Sequence, residues 1–382
     1  MKRIVIKIGS QIILDDEESN SNYLNNILNE IVSLKSKGFS FTIVSSGAVA
    51  LAKKYITIKK GQEGTTSSKQ ALSSIGQVYL MNKYKSFFNL HNIECAQILA
   101  GRDNFNSRLA YLNIRSALEE LYSYNVIPII NENDVVSTME IEGKFYGDND
   151  RLAAIVANAI DADQLILFGK TKGLYTSDPN RNANSKIIKK VEKIDDEITS
   201  YASSPGDNVG SGGMKSKIEA AKICMESGIR CSISNVEFDN TIFRIINSEE
   251  IGTKFIPNKQ KKEAKKRWLI TGLSESKGTI VVDDGASNAL INNGASLLSV
   301  GIKTLKGKFK RGDIVVVENV IKNQIGFGIS NYDSEDLYKL VGKDSKELKN
   351  ILLVNHGDEI INRNNFVFLE NDTKKSNFLK TK

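Results

Sequence analysis

The chain has 382 residues, of which 40% are hydrophobic and 25% are charged, a composition that excludes collagen-like, low-complexity and wholly disordered proteins. At about 150 residues per domain, this length predicts two to three domains. The net charge of +7 is concentrated at 258–268 and 371–382, so the rest of the chain is close to neutral, which argues against a basic nucleic-acid surface spread over the fold.

The few cysteines and histidines exclude several kinds of site. Cys95, Cys224 and Cys231 form no CxxC pair and no disulfide framework, so we expect a reduced, cytoplasmic location. With only His91 and His356 besides, no structural zinc site can be recognised. The N-terminus lacks the apolar core of a signal peptide. No apolar run reaches the about 18 residues that a membrane span needs, so no membrane association is expected.

Residues 1–255 alternate short apolar runs with helical patterns. This alternation predicts parallel strands joined by helices, and therefore an α/β protein with an αβα sandwich around a mainly parallel central sheet. The first strand ends at Gly9 and is expected to be central and buried. Strands are predicted at 3–8, 41–44, 126–130 and 164–168, and an amphipathic helix at 24–37.

The character of the sequence changes after residue 257. Residues 258–267 form a basic linker, and 268–370 contain short alternating runs separated by glycines, which is typical of a small β-barrel. Strands are predicted there at 279–282, 297–300, 313–318 and 324–329. The chain is therefore divided into a first domain at 1–257, the linker at 258–267, a second domain at 268–370 and a polar tail, expected to be disordered, at 371–382.

Polar or glycine-rich segments follow the predicted strands of the first domain, where open parallel sheets bind their ligands. Three such segments lie at 7–10, 45–48 and 131–134, and a loop segment at 147–150 can reach the same edge. A fifth segment, VGSGGMKSK at 209–217, opens a helix that continues through 218–224, and free backbone N–H groups at a helix N-terminus can bind phosphate. Taken alone, that segment is equally typical of an ordinary turn before a helix.

Lys7 lies at the end of the predicted central strand, where a buried lysine is costly unless it is paired or faces a ligand. Asp134, Asp148 and Asp150 can each supply the pairing. Alternatively, each aspartate serves a loop or a helix N-cap, and Lys7 extends to water. Lysines, carboxylates and glycine-rich turns together favour phosphoryl transfer, which depends on positioning and on neutralising charge.

Several other enzyme classes lack their motifs. No Walker A motif is present, because Gln164 stands where a glycine would have to precede Gly169-Lys170-Thr171, and no GxGxxG follows the first strand. The HRD and DFG motifs and the GxSxG elbow are also absent from the sequence. P-loop enzymes, Rossmann dehydrogenases, protein kinases and Ser-His-Asp hydrolases are therefore disfavoured.

Seven segments of the first domain stand in the order and at the spacing of a known family. They are VIKIGS (5–10), IVSSGA (43–48), SKQA (68–71), VIPIINEND (126–134), GDND (147–150), KGLYTSDP (172–179) and GSGGMKSK (210–217). The similarity continues through KRW at 266–268 and GASLLSVGIKTLKGK at 294–308. The chain resembles the glutamate 5-kinases of the amino acid kinase superfamily over nearly its whole length.

This resemblance implies ATP-dependent phosphorylation of the γ-carboxylate of L-glutamate to L-glutamyl 5-phosphate, the first step of proline biosynthesis. It implies that Lys7 and Lys217 neutralise the transferred phosphoryl group and that Asp150 holds both lysines. The implied glutamate site consists of Ser46, Gly47, Ala48, Asp134, Asp148 and Asn149. The implied ATP site consists of Lys7, Gly9, Ser10, Gly169, Lys170, Ser211, Gly212, Gly213, Met214, Lys215, Ser216 and Lys217.

The family resemblance also implies binding partners, and this chain differs from the family pattern at one place. Mg²⁺ is expected to bridge the ATP phosphates without a direct protein ligand. A homo-oligomer, and inhibition by proline bound in the glutamate pocket, are implied as well. Members commonly carry Thr-Asp where this chain has Gly169-Lys170, at positions that touch the nucleotide, so a cation replaces a carboxylate there and implies different contacts.

The second domain resembles a PUA domain, a small barrel found in RNA-modifying enzymes. RNA binding is therefore one interpretation, and an accessory role in assembly or regulation is the other. Another amino acid kinase, acting on acetylglutamate, aspartate or a nucleotide, is a further alternative, against which the appended barrel argues. An RNA-binding protein with a degenerate kinase domain is the last alternative, and the intact Lys7, Asp150 and Lys217 argue against it.

Overall fold

The computed structural model describes residues 2–18, 22–58, 64–101, 104–105, 107–136, 148–179, 181–202, 213–236, 240–257, 276–344, 347, 351–352 and 354–369. The chain divides into two compact units, Met1–Lys261 and Lys262–Lys382. The predicted linker at 258–267 and the predicted tail at 371–382 lie outside the described residues.

The first unit is built on an eight-stranded sheet. Its strands are β1 (Lys2–Ile8), β2 (Phe39–Ser45), β3 (Cys95–Leu99), β4 (Ile127–Asn131), β5 (Gln164–Phe168), β6 (Lys190–Val191), β7 (Arg230–Ser234) and β8 (Thr253–Phe255). They lie in the order β3-β4-β2-β1-β5-β7-β8-β6. The paired strands are parallel except β7 with β8, which are antiparallel.

Helices connect these strands. They are α1 (Ser10–Glu18), α2 (Tyr23–Ser36), α3 (Ala48–Tyr55), α4 (Thr66–Asn89), α5 (Arg108–Ser123), α6 (Asp148–Ala159), α7 (Asp196–Ser200), α8 (Met214–Glu226) and α9 (Thr241–Ile246). Alternate residues of β1 enter two buried clusters, because successive side chains of a strand point to opposite faces. Ile4 and Ile6 pack with α2 and α4, whereas Val5 packs with α6 and α8.

The predicted α/β architecture with a mainly parallel central sheet is confirmed. All four predicted strands form, and 164–168 has the predicted bounds. The strands β3, β6, β7 and β8 were not predicted. They are short, and β7 carries the buried polar residues Ser232 and Ser234, which weaken the apolar pattern that marks a strand in sequence.

The second unit contains a five-stranded sheet and a two-stranded sheet. Its elements are β9 (Gly278–Val282), α10 (Asp284–Asn293), β10 (Leu297–Leu298), β11 (Ile302–Gly307), β12 (Ile314–Asn319), β13 (Gln324–Ile329), α11 (Ser334–Leu340), β14 (Glu359–Ile361) and β15 (Phe366–Phe368). The larger sheet has the order β11-β9-β12-β13-β15, and β10 pairs with β14. The predicted small β domain is therefore confirmed.

One predicted strand of the second unit is wrong in its length. The strand predicted at 297–300 stops at Leu298, and a 3₁₀ turn follows at Ser299–Gly301. The Ser299 hydroxyl donates to the carbonyl oxygen of Lys343, and a Cβ atom at Gly301 would lie 2.4 Å from the Cβ atom of Ala286. Both contacts involve residues distant in the chain, so neither can be seen in the local sequence.

Among the described residues of both units, no helix is long and apolar enough to cross a membrane.

Candidate active site

Two buried lysines converge on one buried carboxylate at the carboxyl end of the central strand. The Lys7 Nζ atom lies 2.7 Å from Asp150 Oδ1, and the Lys217 Nζ atom lies 2.8 Å from Asp150 Oδ2. Each lysine is only 6% exposed, and Asp150 is fully buried. Two cations facing one anion leave a net positive charge in a region that water scarcely reaches. Such a centre is suited to binding a group with several negative charges.

The proton affinities of these groups reflect burial and mutual attraction. Burial alone would raise the pKa of Asp150, but the charges of Lys7 and Lys217 and their hydrogen bonds outweigh it and lower that pKa to about 2. Burial and the charge of Lys7 lower the pKa of Lys217 below its ordinary value of 10.5, against the opposing pull of Asp150. Asp150 is therefore held ionised, so it acts as an anchor for the lysines and not as an acid.

Helix α8 delivers Lys217 and a second contact to the same carboxylate. Gly213 precedes the helix in an extended conformation, and its carbonyl oxygen accepts a hydrogen bond of 2.8 Å from the Ser216 hydroxyl. The same hydroxyl lies 2.8 Å from Asp150 Oδ2. Ser216 and Lys217 therefore both bind the carboxylate that α6 supplies, and these contacts fix the first turn of α8 against α6.

Two glycines leave room around the lysines. A Cβ atom at Gly9 would lie 3.9 Å from Lys7 Nζ, and a Cβ atom at Gly169 would lie 2.9 Å from Lys217 Cε. Real Cβ contacts hardly ever come as close as the second distance, so the alkyl chain of Lys217 occupies the space that a side chain at position 169 would need. The Gly169 amide donates to the carbonyl oxygen of Ser234 at 2.9 Å.

A second polar cluster lies beside the lysine centre, at the ends of β2 and β4. The Asn149 Nδ2 atom donates to Ser46 Oγ at 2.8 Å and, more weakly, to Asn131 Oδ1 at 3.4 Å. Asn149 is 8% exposed, and its Oδ1 atom has no hydrogen-bond partner among the residues that the structure describes. This oxygen is a buried acceptor that a ligand cation or N–H group can satisfy.

The turn after β2 is built by residues without large side chains. Gly47 has a φ of 104°, a left-handed conformation that favours glycine, and it precedes α3. Ala48 starts α3, and Gly76 of α4 packs so closely on it that a Cβ atom at 76 would lie 1.8 Å from the Ala48 carbonyl oxygen. The Ser46 amide donates to the carbonyl oxygen of Ile8 at 3.1 Å, which joins this turn to the central strand.

Known proteins match this chain over both of its units. Residues 2–235 match the model of the amino acid kinase family, and residues 278–352 match that of the PUA domain. The chain is 38% identical over 374 residues to a glutamate 5-kinase of Dehalococcoides mccartyi (strain CBDB1), covering 96% of this chain and 98% of the relative. A glutamate 5-kinase of Dictyoglomus thermophilum is 38% identical over 370 residues, covering 96% of this chain and 98% of the relative.

The chain belongs to the glutamate 5-kinase family, within the amino acid kinases. It is therefore a kinase, and its second unit carries a PUA domain. Among solved structures, a UMP kinase from Bacillus anthracis covers 68% of this chain and 97% of its own length, with 17% identity and a TM-score of 0.47.

The structure brings together most of the residues that were predicted for the two sites of a glutamate 5-kinase. The lysine centre contains Lys7, Asp150, Ser216 and Lys217, with Gly9, Gly169 and Gly213 against it. The neighbouring cluster contains Ser46, Gly47, Ala48 and Asn149. Asp134 lies in the turn after β4, and its carboxylate accepts a hydrogen bond from the Ser73 hydroxyl of α4.

Other predicted residues have no direct contact with Asp150 or lie outside the description. Ser10 begins α1 and is exposed, whereas Lys170 and Lys215 are exposed cations after β5 and in the first turn of α8. Met214 begins α8, inside the segment 209–217 that was predicted to open this helix. Asp148 begins α6. Ser211 and Gly212 lie outside the described residues.

Sequence reasoning missed three residues. Asn131, the last residue of β4, orients Asn149, and the polar run at 131–134 was the signal that could have identified it. Ser73 was missed because its role depends on the packing of α4 against the turn after β4. Asn235 was missed together with strand β7, which it follows.

The described residues contain no group of three or more His, Cys, Asp or Glu side chains that can hold a metal ion. Asp150 is engaged by two lysines and a serine hydroxyl. The donor set around the centre is therefore cationic, which suits phosphate oxygens and not a metal ion.

Proposed function

We propose that this kinase transfers the γ-phosphoryl group of ATP to the γ-carboxylate of L-glutamate and forms L-glutamyl 5-phosphate, the first step of proline biosynthesis. The observation that carries the proposal is the pair of buried lysines on Asp150, at 2.7 and 2.8 Å, at the end of the central strand. Phosphoryl transfer needs positioning and charge neutralisation more than covalent chemistry, and this centre supplies both.

The order of the strands supports separate sites for the two substrates. Asn131 ends β4 and Ser46 follows β2 on one side of β1, whereas Gly169 follows β5 on the other side. Lys7 lies between them at the end of β1. This order supports glutamate at the ends of β2 and β4 and the nucleotide at the ends of β5 and β7, with the transferred group at Lys7.

The residues at the ends of β2 and β4 match the groups of glutamate. The unpaired Asn149 Oδ1 atom can accept from the α-ammonium group, and the Asp134 carboxylate supplies negative charge on the same side. In the reaction, an oxygen of the γ-carboxylate attacks the γ-phosphorus, the bond to the bridging oxygen breaks, and ADP leaves. Lys7 and Lys217 offset the negative charge that the two substrates bring together.

Mg²⁺ is part of the proposed substrate and not a resident metal. Because Asp150 already binds two lysines and a hydroxyl, Mg²⁺ is expected to bind the ATP phosphates and water. The family resemblance supports three finer proposals: proline competes for the glutamate pocket, the chain forms a homo-oligomer, and it works in the cytoplasm. RNA binding by the PUA domain stays an alternative role for the second unit.

The proposed reaction is tested with purified chain, ATP, Mg²⁺ and L-glutamate, with hydroxylamine to trap the acyl phosphate as a hydroxamate. Aspartate, N-acetylglutamate and UMP serve as competing acceptors. We expect hydroxamate from glutamate only, and its loss in Lys217→Ala. Lys222→Ala, an exposed lysine on the same helix, is the matched control and should keep full activity. Turnover with another acceptor and none with glutamate would contradict the proposal.

A further inference from the structure

Asn235 is a buried polar side chain that no described residue satisfies. It directly follows β7 and is 2% exposed, and neither its amide nitrogen nor its amide oxygen has a hydrogen-bond partner among the described residues. A buried amide without partners costs free energy that proteins normally recover through another residue, a water molecule or a ligand. Because the side chain is so little exposed, bulk solvent does not satisfy it.

The strand register places Asn235 in line with the lysine centre. Lys7 lies opposite Leu167, and Leu167 lies opposite Ile233, across the parallel strands β1, β5 and β7. Two residues further along each strand, the residues that lie opposite one another are Gly9, Gly169 and Asn235. They form the next row on the same face. Asn235 is thus the member of this row that carries a side chain.

Asn235 also lies on the same face of the sheet as the lysine centre, because residues two apart in a strand share a face. Cys231 and Ile233 pack in the buried cluster that contains α6 and α8, and Asn235 continues this alternation. The contact of Gly169 with Lys217 shows that the same phase holds one residue beyond β5. The hydrogen bond from the Gly169 amide to the Ser234 carbonyl oxygen shows that β5 and β7 are still joined at this level.

Asn235 lies on the nucleotide side of the centre. The strand order runs from β2 through β1 and β5 to β7, so Asn235 is separated from the Ser46 cluster by the lysines. At about 4.8 Å between strands, it lies about 10 Å to the side of the end of β1, two strands away. A nucleotide whose γ-phosphate meets Lys7 and whose chain runs toward β7 brings its nucleoside to this distance.

We infer that Asn235 binds the adenine edge of ATP and contributes to the choice of nucleotide, an inference that rests on the proposed kinase reaction. Its free amide donor and acceptor match the ring-nitrogen acceptor and the 6-amino donor of adenine, a bidentate pairing typical of asparagine. Phosphate offers acceptors only and would leave the Asn235 oxygen unpaired. Neighbouring side chains must move to admit the base, because Asn235 is only 2% exposed.

The first test compares ATP with purine riboside 5′-triphosphate, which lacks the 6-amino group, at saturating glutamate. We expect Asn235→Leu to lower kcat/KM for ATP by about 10- to 100-fold and to leave KM for glutamate unchanged. With the analogue, the same substitution should cost much less, because its partner is already missing. An equal loss with both nucleotides would overturn the inference, since it would indicate a structural role or a contact with ribose or phosphate.

The second test measures thermal stability of the full chain. If the side-chain amide has hydrogen-bond partners only when ATP is bound, Asn235→Leu leaves the ligand-free Tm unchanged or raises it. The substitution then replaces an unsatisfied polar group by an apolar one of similar volume. The same variant should lose most of the Tm shift that ATP produces. Asn235→Asp is the second variant, and it should also discriminate less between the two nucleotides. Asn365→Leu, at a buried asparagine of the second unit, should keep the wild-type ATP shift.

The outcomes separate this inference from the proposed reaction. If the wild type makes no hydroxamate but its Tm shift distinguishes ATP from the analogue through Asn235, the reaction is wrong and the inference holds. If glutamate is phosphorylated and Asn235→Leu treats both nucleotides as the wild type does, the inference is wrong and the reaction holds. A fall in the ligand-free Tm of Asn235→Leu without any change in nucleotide discrimination would also overturn it.

Discussion

The alkyl chain of Lys217 lies on Gly169, so that a Cβ atom at position 169 would come within 2.9 Å of the lysine Cε atom. The Lys217 ammonium group reaches Asp150 across this surface. The absence of a side chain at the end of β5 is therefore part of what sets the position of the lysine.

Gly169→Ala is expected to lower activity by displacing Lys217. The end of a lysine chain is flexible, so the fold should survive, but a shift of about 1 Å in a positioned group can cost up to about 100-fold in rate. We expect kcat to fall by about 10- to 100-fold with little change in Tm, as measured by the hydroxamate assay and by thermal unfolding. Gly285→Ala, at an exposed helix position of the second unit, is the control. An unchanged kcat in Gly169→Ala would contradict the steric argument.

Asp150→Asn is expected to destabilise the chain, because two buried lysines lose their counter-charge. Breaking a buried ion pair on one side typically costs about 3–5 kcal/mol. The loss should depend on pH. The Asp150 pKa is lowered from 3.8 to about 2, so between these values the unfolded chain binds a proton that the folded chain does not.

The stability from Asp150 is therefore fully present above the ordinary pKa of the carboxyl group and is lost as pH falls toward about 2. The difference in unfolding free energy between wild type and Asp150→Asn should shrink across this window, as followed by urea denaturation at a series of pH values. A difference that stays constant from neutral pH through the window would show that the lysines do not stabilise the carboxylate.

The alkaline limb of the rate profile should report Lys217. Burial and the charge of Lys7 lower the pKa of Lys217 below 10.5, so the lysine loses its charge at a lower pH than an exposed lysine does. We expect kcat/KM for ATP, at saturating glutamate, to fall on the alkaline side with a midpoint below that ordinary value. In Lys217→Arg the guanidinium stays charged, and any residual activity should lack this limb. An identical limb in both proteins would assign it to another group.

The sequence was sufficient to identify Lys7, because a lysine at the end of an apolar run is costly without a partner. The residue pattern alone could not choose among Asp134, Asp148 and Asp150 as that partner, since the choice depends on which loop the fold brings to the edge of β1. Only the family resemblance indicated Asp150. The structure gives this role to Asp150, through the first turn of α6, whereas Asp134 binds Ser73 of α4.

Asn235 illustrates a different limit. Its role depends on the register of β7 with β5, and β7 carries serines at Ser232 and Ser234 that break the apolar pattern. These serines are tolerated in the core because Ser232 accepts a hydrogen bond from Gln164 of the neighbouring strand and the Ser234 hydroxyl donates to the carbonyl oxygen of Asn235. A strand that depends on a partner 68 residues away gives little local signal, and the row of residues at its end is hidden with it.

Asn149→Leu should weaken glutamate binding specifically. The substitution removes the unpaired Oδ1 acceptor and the hydrogen bond to Ser46. Loss of a hydrogen bond to a charged group costs about 1.5–3 kcal/mol, so KM for glutamate should rise by about 10- to 100-fold while KM for ATP stays within about threefold. Asn158→Ala, an exposed position on the same helix, is the control. Equal rises in both KM values would contradict a glutamate-specific role.

Gly76→Ala tests the close approach of α4 to α3. A methyl group at position 76 would lie 1.8 Å from the Ala48 carbonyl oxygen, a backbone atom that cannot move aside without shifting α3. Overpacking of this kind costs about 1–3 kcal/mol or more, against which the better helix propensity of alanine offsets less than about 1 kcal/mol. We expect a lower unfolding free energy in urea and a higher KM for glutamate, because Ala48 borders Ser46 and Gly47. Ser74→Ala, exposed on the same helix, should change neither quantity appreciably, and a Gly76→Ala chain as stable as this control would show that the two helices can separate without cost.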